Sequence, residues 1–367
     1  MSRSTSTNFT ITTTIEKLIL QIISSIIHDR GAEIKILPPS HPSNSFFDQK
    51  LQVIKASCPS QKYYQIISLA QIKEFAKYVR VLEFIYSNLC TNVIRKKRDI
   101  YYSDAKLFQS QRCTDRIINA FASTFSIPTF RMNIISSEKG LIMGPLLIKT
   151  PCFSDDKRET VVLDCRSQPQ LVPSPSDDLS FSIDTSCIPC ESKTFVLVLE
   201  KETLFNLAVQ ENLTQKYNCI LITGKGYPDE GTRYLVNLLT DHFPLYILTD
   251  ADPHGINIFL TYSHGSRNYS YRDCLSASSA KWIGVELGEV SETNRINLNS
   301  SDLKLLSRLQ SNPVVLMQPI LQKCVQLMAS RNQKAEAESF FSSQKFGFFS
   351  KHYLFSKLCS LSNSGAP

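Results

Sequence analysis

Acidic side chains follow two strand-like runs of the chain, at the point where each run ends. Glu200 ends the apolar run TFVLVLE, and Asp250 and Asp252 end the run PLYILTDAD. The carboxyl ends of neighbouring parallel strands meet at one edge of an α/β sheet, and such sheets bind their ligands at that edge. Mg²⁺ prefers a few carboxylates together with phosphate oxygens and water. The three carboxylates therefore predict a Mg²⁺ site that acts on a phosphate group.

A glycine-containing turn lies between the two acidic clusters. In the segment TGKGYPDEGTR, Gly224 and Gly226 permit a tight turn, and Lys225 and Arg233 carry positive charge. The spacing is not that of a Walker P-loop, and by itself the segment is typical of an ordinary strand-to-helix turn. Beside a metal site, Lys225 and Arg233 become candidates for contact with the phosphates of a nucleic acid.

A basic run precedes a pair of tyrosines. The segment IRKKRDIYYSD carries four consecutive basic residues, Arg95–Arg98, before Tyr101 and Tyr102. Basic clusters are most often solvated faces, but they also contact the phosphates of DNA. A tyrosine hydroxyl can attack phosphorus and form a phosphotyrosyl bond when neighbouring charge assists loss of its proton. Most tyrosines do not act in this way, so the residues alone leave both roles open.

The alternation of apolar runs predicts the sheet that positions the acids. Near-continuous apolar strands are predicted at 195–199, 219–223 and 245–249, with helices at 202–213, at 230–241 and after Pro253. Strands of this kind belong to a largely parallel sheet that is covered on both faces. The fold class predicted for this part of the chain is α/β.

The pattern upstream is helical and then strand-like. Helical spacing extends over 63–107, and TDRIINAFASTF predicts a short helix capped by Thr114 or Asp115. The segments RMNIISS and GLIMGPLLIKT predict a β-hairpin that turns near Gly140. Helices followed by a hairpin are the parts of a winged helix, which commonly lays a helix in a DNA groove.

Changes in composition predict four regions. An N-terminal helix and variable region occupies 1–62, a winged-helix domain 63–165, a linker rich in Ser, Pro and Asp 166–191, and the α/β domain with a helical C-terminal part 192–367. The helix at Ile15–Ile27 is amphipathic. It is predicted either to cover the core of its own domain or to dock on a partner protein.

Composition narrows the class of protein. The 367 residues suffice for two domains, and 40 Lys and Arg against 33 Asp and Glu permit a polyanionic partner without requiring one. Eleven scattered cysteines without a secretory signal predict a reducing compartment. Cys187 and Cys190 are more simply explained as unrelated thiols than as half of a zinc site. No uninterrupted apolar run reaches about 18 residues, so no contact with a membrane is predicted.

Five motifs in one order resemble a known family. The strings KRDIYYSDAKLFQSQ, SSEKGLIMG, VLVLEKETLF, TGKGYPDEGTR and LTDADPHGINIFLTYSHGS are similar to those of the A subunit of DNA topoisomerase VI and its eukaryotic relative, the transesterase that makes meiotic double-strand breaks. The resemblance runs from about residue 82 to about residue 340 and ends in KAEAESF. Departures include His264, where relatives often carry an aromatic or aliphatic residue.

The resemblance implies a function and a site. It implies a winged-helix domain carrying the nucleophile Tyr102, a Toprim domain whose metal ligands are Glu200, Asp250 and Asp252, and Arg98 as a phosphate contact. The implied cofactor is Mg²⁺, and the implied substrate is double-stranded DNA. The implied assembly is a homodimer, or a heterodimer with a paralogue, together with a B-subunit-like partner. The implied location is the nucleus, on chromosomes.

Three functions remain open on the sequence alone. The first is a magnesium-dependent DNA transesterase that initiates meiotic recombination through a 5′-phosphotyrosyl intermediate. The second is a topoisomerase VI A-type chain that relaxes or decatenates DNA with an ATP-hydrolysing B subunit. The third is a catalytically idle DNA-binding scaffold, paired with an active paralogue. The intact tyrosine and acids argue against the third.

Overall fold

The chain divides into two compact units in a computed structural model. The structure describes residues 4–28, 30–154, 157–174, 181–189, 193–267, 273–342 and 344–363. Unit 1 comprises Met1–Glu138, Ser174–Phe181 and Ser266–Asp273. Unit 2 comprises Lys139–Pro173, Ser182–Gly265 and Cys274–Pro367. This division places residues 139–165 with the α/β part of the chain, whereas the sequence assigned them to the winged-helix domain.

Unit 1 is mainly helical. Its helices and strands are, in chain order, α1 (Ser4–Ile27), β1 (Glu33–Ile36), β2 (Ser45–Asp48), β3 (Val53–Ala56), β4 (Gln65–Ser68), α2 (Ile72–Thr91), β5 (Arg95–Lys96), α3 (Lys97–Ser103), α4 (Ala105–Phe108), α5 (Gln111–Phe125) and β6 (Ile134–Ile135). The predicted helical pattern over 63–107 is wrong at its start and is interrupted before α3, whereas its last residues are helical. Its first residues form β4, and Asn92, in the left-handed conformation at φ 52°, ends α2.

The core of unit 1 is formed by the apolar faces of its helices. This buried core contains Ile15 of α1, Tyr78 and Leu82 of α2, and Phe121 of α5. The predicted N-terminal helix is therefore present, and one of its faces covers the core of its own unit. The predicted caps of α5 are wrong, because the side chain of Ser110 accepts the hydrogen bond from the Cys113 N–H.

The predicted β-hairpin around Gly140 does not form. Strand β6 pairs in parallel with β5 inside unit 1. The next strand, β7 (Leu141–Met143), instead pairs antiparallel with the strand at Ile220–Thr223 in unit 2. The two predicted arms of the hairpin thus belong to different sheets, because β7 finds its hydrogen-bonding partner about 80 residues further along the chain.

Unit 2 is built on a six-stranded sheet. Its elements after β7 are, in chain order, β8 (Leu147–Ser154), β9 (Lys157–Asp164), β10 (Gln170–Leu171), β11 (Ser182–Asp184), β12 (Val196–Leu199), α6 (Glu202–Gln210), α7 (Leu213–Tyr217), β13 (Ile220–Thr223), α8 (Glu230–Thr240), β14 (Leu245–Leu248), α9 (Pro253–Ser263), β15 (Lys281–Trp282), β16 (Ile296–Asn297), α10 (Ser300–Gln310), α11 (Pro313–Met317), α12 (Pro319–Arg331), β17 (Gln333–Lys334), α13 (Ala337–Ser342) and α14 (Phe355–Asn363).

The sheet confirms the predicted α/β class. The strand order is β10–β7–β13–β12–β14–β15, and β12 lies parallel to both β13 and β14. Strands β12 and β13 are buried throughout, as expected for the centre of a sheet with helices on both faces. In this order β12 and β14 are neighbours, so their carboxyl ends meet at one edge of the sheet.

Two further parts complete unit 2. Strands β11, β8 and β9 form a separate antiparallel sheet. Strands β10 and β11 both lie within the predicted linker, so part of that linker is structured. Cys187 is exposed, whereas Cys190 lies outside the described residues. The aromatic cluster near the C-terminus packs as predicted, with Phe341 in edge contact with Phe349 and Tyr353.

Among the residues that the structure describes, one helix has the composition of a membrane span. Between Thr10 and Ile27, α1 has a mean hydropathy of 1.3 over 18 residues, which is long and apolar enough to cross a bilayer. The prediction that no segment spans a membrane is based on uninterrupted apolar runs, which is a stricter criterion than a mean hydropathy, and this helix does not decide it. Length and composition are weak grounds for a span, since helices that pack on a protein core pass the same test, and Ile15 of α1 lies in such a core.

Candidate active site

The carboxyl ends of β12 and β14 bring Glu200 and Asp250 together. The strands pair in register up to Leu199 and Leu248, and the Glu200 N–H donates to the Leu248 carbonyl at 3.1 Å. The Asp250 N–H then donates to Glu200 Oε2 at 2.8 Å. Asp252 follows as the N-cap of α9, where its side chain accepts a hydrogen bond from the Gly255 N–H. The structure thus places Glu200 and Asp250 together at the ends of β12 and β14, with Asp252 two residues further along the chain.

The acids lie where negative charge is costly. Burial, followed by the charge of Asp250, raises the pKa of Glu200 from 4.5 to about 8. Burial is also the main cause of the raised pKa values of Asp250 and Asp252. Removing carboxylates from water and placing them near one another disfavours their charged forms, unless a cation compensates. The electrostatics of this edge therefore favour binding of a cation.

The donors have the right chemistry for Mg²⁺, although they do not converge on one point. Within the ranges that the structure describes, no three His, Cys, Asp or Glu side chains are arranged to hold a metal. Asp250 Oδ1 accepts the Ala337 N–H at 2.9 Å, and Asp252 caps α9. The carboxylate oxygens of Glu200, Asp250 and Asp252 are hard donors of the kind that Mg²⁺ takes. Rotation of their side chains would be needed to direct all three at one ion.

Lys201 is a residue of this edge that the sequence did not single out. Its ammonium lies 3.0 Å from Asp250 Oδ2, 3.2 Å from Glu336 Oε2 and 3.4 Å from Glu338 Oε2. Burial alone would lower the pKa of Lys201, but the charges and hydrogen bonds of Asp250 and Glu336 together outweigh burial, so the pKa is raised. The two glutamates belong to the KAEAESF motif, whose alternating acids were the available signal for this contact.

The glycine turn lies against the end of β12. The Gly226 N–H donates to the Glu200 carbonyl at 2.8 Å, and Lys225 adopts a left-handed conformation at φ 51°. The Lys225 ammonium is 3.0 Å from Glu202 Oε1, and its side chain is partly exposed. The structure therefore places Lys225 beside the acidic edge.

Arg233 lies where a DNA phosphate cannot reach it. Its side chain on α8 is buried, with 3% of the residue exposed. The guanidinium donates from Nε and Nη2 to the Leu275 carbonyl at 3.1 and 3.0 Å. The expectation that Arg233 contacts phosphate does not fit this placement. Its charge is buried and its donors hold the loop at Leu275, a contact between positions 42 residues apart that local spacing could not reveal.

A polar network next to the acids was also not predicted. The Tyr227 hydroxyl accepts a hydrogen bond from Asn257 Nδ2 at 2.8 Å and lies 3.2 Å from His254 Nδ1. His254 Nε2 lies 3.6 Å from the buried Asp302, which also pairs with Lys334 at 2.9 Å. The residues PHG after Asp252 were the only sequence signal for this network.

In unit 1, the two tyrosines of α3 differ in exposure. Tyr102 is 64% exposed, whereas Tyr101 is half-buried and packs against the core of unit 1. Their ring centroids are 5.0 Å apart. Arg98, one turn before Tyr102, is exposed on the same short helix. The sequence pair thus contains one packing residue and one side chain available to a ligand.

Comparisons with known proteins agree with these features. Residues 195–358 match the family described as the Toprim domain of the topoisomerase 6 A subunit and Spo11, and residues 73–134 match "Type IIB DNA topoisomerase". The Homo sapiens "Meiotic recombination protein SPO11" is 30% identical over 94% of this chain and 86% of the relative. Its Mus musculus counterpart is 29% identical over 89% and 82% of the two chains.

A plant topoisomerase chain is similar over a comparable span. The A subunit of DNA topoisomerase 6 from Arabidopsis thaliana is 27% identical over 94% of this chain and 79% of the relative. Both family matches lie where the structure places the functional candidates. The first contains all three acids, and the second contains Tyr101, Tyr102 and Arg98.

Proposed function

Because this chain belongs to the family of Spo11 and the topoisomerase 6 A subunit, we propose that it is a magnesium-dependent DNA transesterase that makes double-strand breaks and initiates meiotic recombination. The observation that carries the proposal is the contrast within α3, where Tyr102 is exposed and Tyr101 is packed. An exposed tyrosine hydroxyl in a type IIB topoisomerase domain is available to a DNA phosphate.

The reaction exchanges one phosphoester for another. The Tyr102 oxygen attacks a DNA phosphorus and loses its proton to solvent or to a base. The bond from phosphorus to the 3′ oxygen breaks, and that oxygen leaves with a proton as the 3′ hydroxyl. The protein stays joined to the 5′ end, so the ester is conserved and cleavage needs no external energy source.

Three acids would hold the metal. Glu200, Asp250 and Asp252 are the proposed ligands, and a bound Mg²⁺ would stabilise negative charge on the reacting phosphate and the leaving oxygen. The burial of Glu200 and Asp250 and the hydrogen bond between them support this assignment, and Asp252 follows two residues after Asp250. Arg98 and Lys225 are the proposed DNA contacts.

The proposed assembly follows the family. We expect a homodimer, or a heterodimer with a paralogue, in which the tyrosine of one protomer acts with the metal of the other on double-stranded DNA. A B-subunit-like protein is the expected further partner, and exposed residues of α1 offer a surface for it. The names of the human and mouse relatives support a meiotic role and a nuclear location on chromosomes.

The test is covalent trapping of DNA. The dimer, with its partner if required, is incubated with DNA and Mg²⁺, denatured at once, and assayed for DNA joined to protein through its 5′ end. Tyr102→Phe is expected to abolish the adduct, and Tyr101→Phe, the matched control, to retain it. Normal cleavage by Tyr102→Phe would show that the assignment is wrong.

The plant relative supports a second function. The similarity to the A subunit of DNA topoisomerase 6 fits a chain that religates DNA and works with an ATP-hydrolysing B subunit. ATP-dependent decatenation with such a partner would favour this function, whereas trapped breaks without religation would favour the first. If no wild-type complex formed an adduct, the result would instead favour the catalytically idle DNA-binding scaffold.

A further inference from the structure

Lys201 joins a buried acid to two acids at the surface. Its ammonium bridges Asp250, which is almost fully buried, to Glu336 and Glu338, whose side chains are 49% and 35% exposed. All three N–O distances lie between 3.0 and 3.4 Å. The ammonium can therefore leave Asp250 and stay paired with the two glutamates after only a small movement.

The backbone fixes the two glutamates beside Asp250. The Ala335 N–H donates to the Ala251 carbonyl at 3.0 Å, and the Ala337 N–H donates to Asp250 Oδ1 at 2.9 Å. Glu336 lies between these two anchors, and Glu338 is further held by the Thr203 hydroxyl. The segment that carries the glutamates is thus attached to the residues of the acidic edge, so it does not depend on Lys201 for its position.

A divalent cation and an ammonium compete for Asp250. Both positive charges are attracted to the same carboxylate, and in a buried setting they repel each other strongly when both lie within a few ångströms of it. Glu336 and Glu338 offer the ammonium another position at nearly unchanged distance. The ammonium thus has two available positions: the one in the structure, in contact with Asp250 and both glutamates, and one in contact with the glutamates alone.

We propose that Lys201 is a positioning residue that moves from Asp250 to Glu336 and Glu338 when a divalent cation binds at the acidic edge. The inference rests on the proposed function, since it takes Asp250 as a metal ligand. In this exchange the lysine neutralises Asp250 until the cation replaces it, and the two glutamates lower the cost of moving the ammonium away.

The proposal predicts opposite effects on the affinity for a divalent cation when Lys201 is neutralised and when the two glutamates are neutralised. Lys201→Met removes the competing ammonium and should tighten binding of the divalent cation by about tenfold. The double variant Glu336→Gln, Glu338→Gln removes the alternative position and should weaken binding by about tenfold. In the triple variant the glutamate changes should have little effect, because no lysine remains to be moved.

The experiment measures binding of Mn²⁺ to the full chain without DNA, by the loss of the free-ion electron paramagnetic resonance signal. Lys201→Arg keeps the charge and should keep the wild-type affinity. The exposed Lys216→Met controls for lost positive charge, and Glu292→Gln with Asp241→Asn controls for lost negative charge. Asp250→Asn reports on the metal site itself.

The outcomes separate the exchange from the metal site. The exchange is supported if Lys201→Met tightens binding and the glutamate changes weaken it only when Lys201 is present. It is overturned if Lys201→Met weakens or does not change binding while Asp250→Asn abolishes it. If Asp250→Asn binds Mn²⁺ as tightly as wild type, the proposed metal site is wrong and the exchange fails with it.

Discussion

Replacing His264 with phenylalanine is expected to remove a pH-dependent loss of stability from unit 2. His264 follows the last residue of α9 and is 2% exposed. Its ring packs against Phe259 with 6.2 Å between centroids, and its Nδ1 shares a hydrogen bond with the Ser263 hydroxyl. Burial lowers the pKa of His264 from 6.5 to about 4. The imidazole is therefore neutral in the folded protein at pH values where an unfolded chain binds a proton.

The sign and size of the effect follow from this difference. Since the unfolded state binds more protons between the two pKa values, stability is complete above about pH 6.5 and is lost as the pH falls toward 4. From about pH 7 to about pH 5 the loss amounts to about 2 kcal/mol. Phenylalanine is aromatic but does not titrate, so its variant should lack this part of the pH dependence.

The single tryptophan makes the measurement specific to unit 2. Trp282 on β15 is buried, and its indole N–H donates to the Thr249 hydroxyl at 2.9 Å. Its fluorescence during urea unfolding therefore follows the sheet that adjoins α9. Wild type and His264→Phe are compared at about pH 7 and about pH 5, and only the difference between their pH dependences is used, which removes the contribution of other titrating groups.

Two results would refute this reasoning. One is an equal loss of stability for wild type and His264→Phe over the same pH range. The other is a nuclear magnetic resonance titration of the His264 ring with a midpoint near 6.5 in the folded protein. Either would mean that the imidazole accepts a proton where it lies, so that its burial does not oppose the charge. A constant difference between the variants at all pH values would reflect packing alone.

The remaining predictions concern packing. Gly255→Ala would place a β-carbon against the Asp250 carbonyl. We expect this to lower the free energy of unfolding of unit 2 by about 1–3 kcal/mol, measured by Trp282 fluorescence during urea unfolding. An unchanged unfolding midpoint would contradict the prediction. Ile15 is 2% exposed, and we expect Ile15→Ala to lower the stability of unit 1 by about 2–5 kcal/mol, measured by amide hydrogen exchange in α2. Ile27 is 72% exposed, so Ile27→Ala should change this stability little.

The sequence predicted the sheet of unit 2 well because its signals are local. Each apolar run from 195 to 249 is short, buried on both sides and followed by helical spacing, so the strands and the acids at their ends could be assigned without knowledge of distant contacts. The parallel order of β12 and β14 then placed Glu200 beside Asp250.

Several features that the sequence did not predict depend on contacts between distant parts of the chain. Strand β7 joins the sheet of unit 2 rather than a hairpin with β6, which no local pattern near Gly140 encodes. The buried Arg233 guanidinium donates to a carbonyl 42 residues away, and the Lys201 ammonium pairs with Glu336, which is 135 residues away. Local spacing identifies candidate charged residues, but the tertiary structure determines which of them are accessible to a ligand and which form ion pairs or hydrogen bonds within the protein.

The hydrogen bond from Ala337 to Asp250 has a consequence for the order of biosynthesis. The two residues are 87 positions apart, so the strands of the central sheet leave the ribosome well before the segment that anchors Asp250. A chain that stops before Lys334 would contain β12 and β14 but lack both the Ala337 donor and the glutamates that hold Lys201. An unfinished or prematurely terminated product would thus contain the ends of β12 and β14 with their acids, but without the backbone N–H that holds the Asp250 carboxylate.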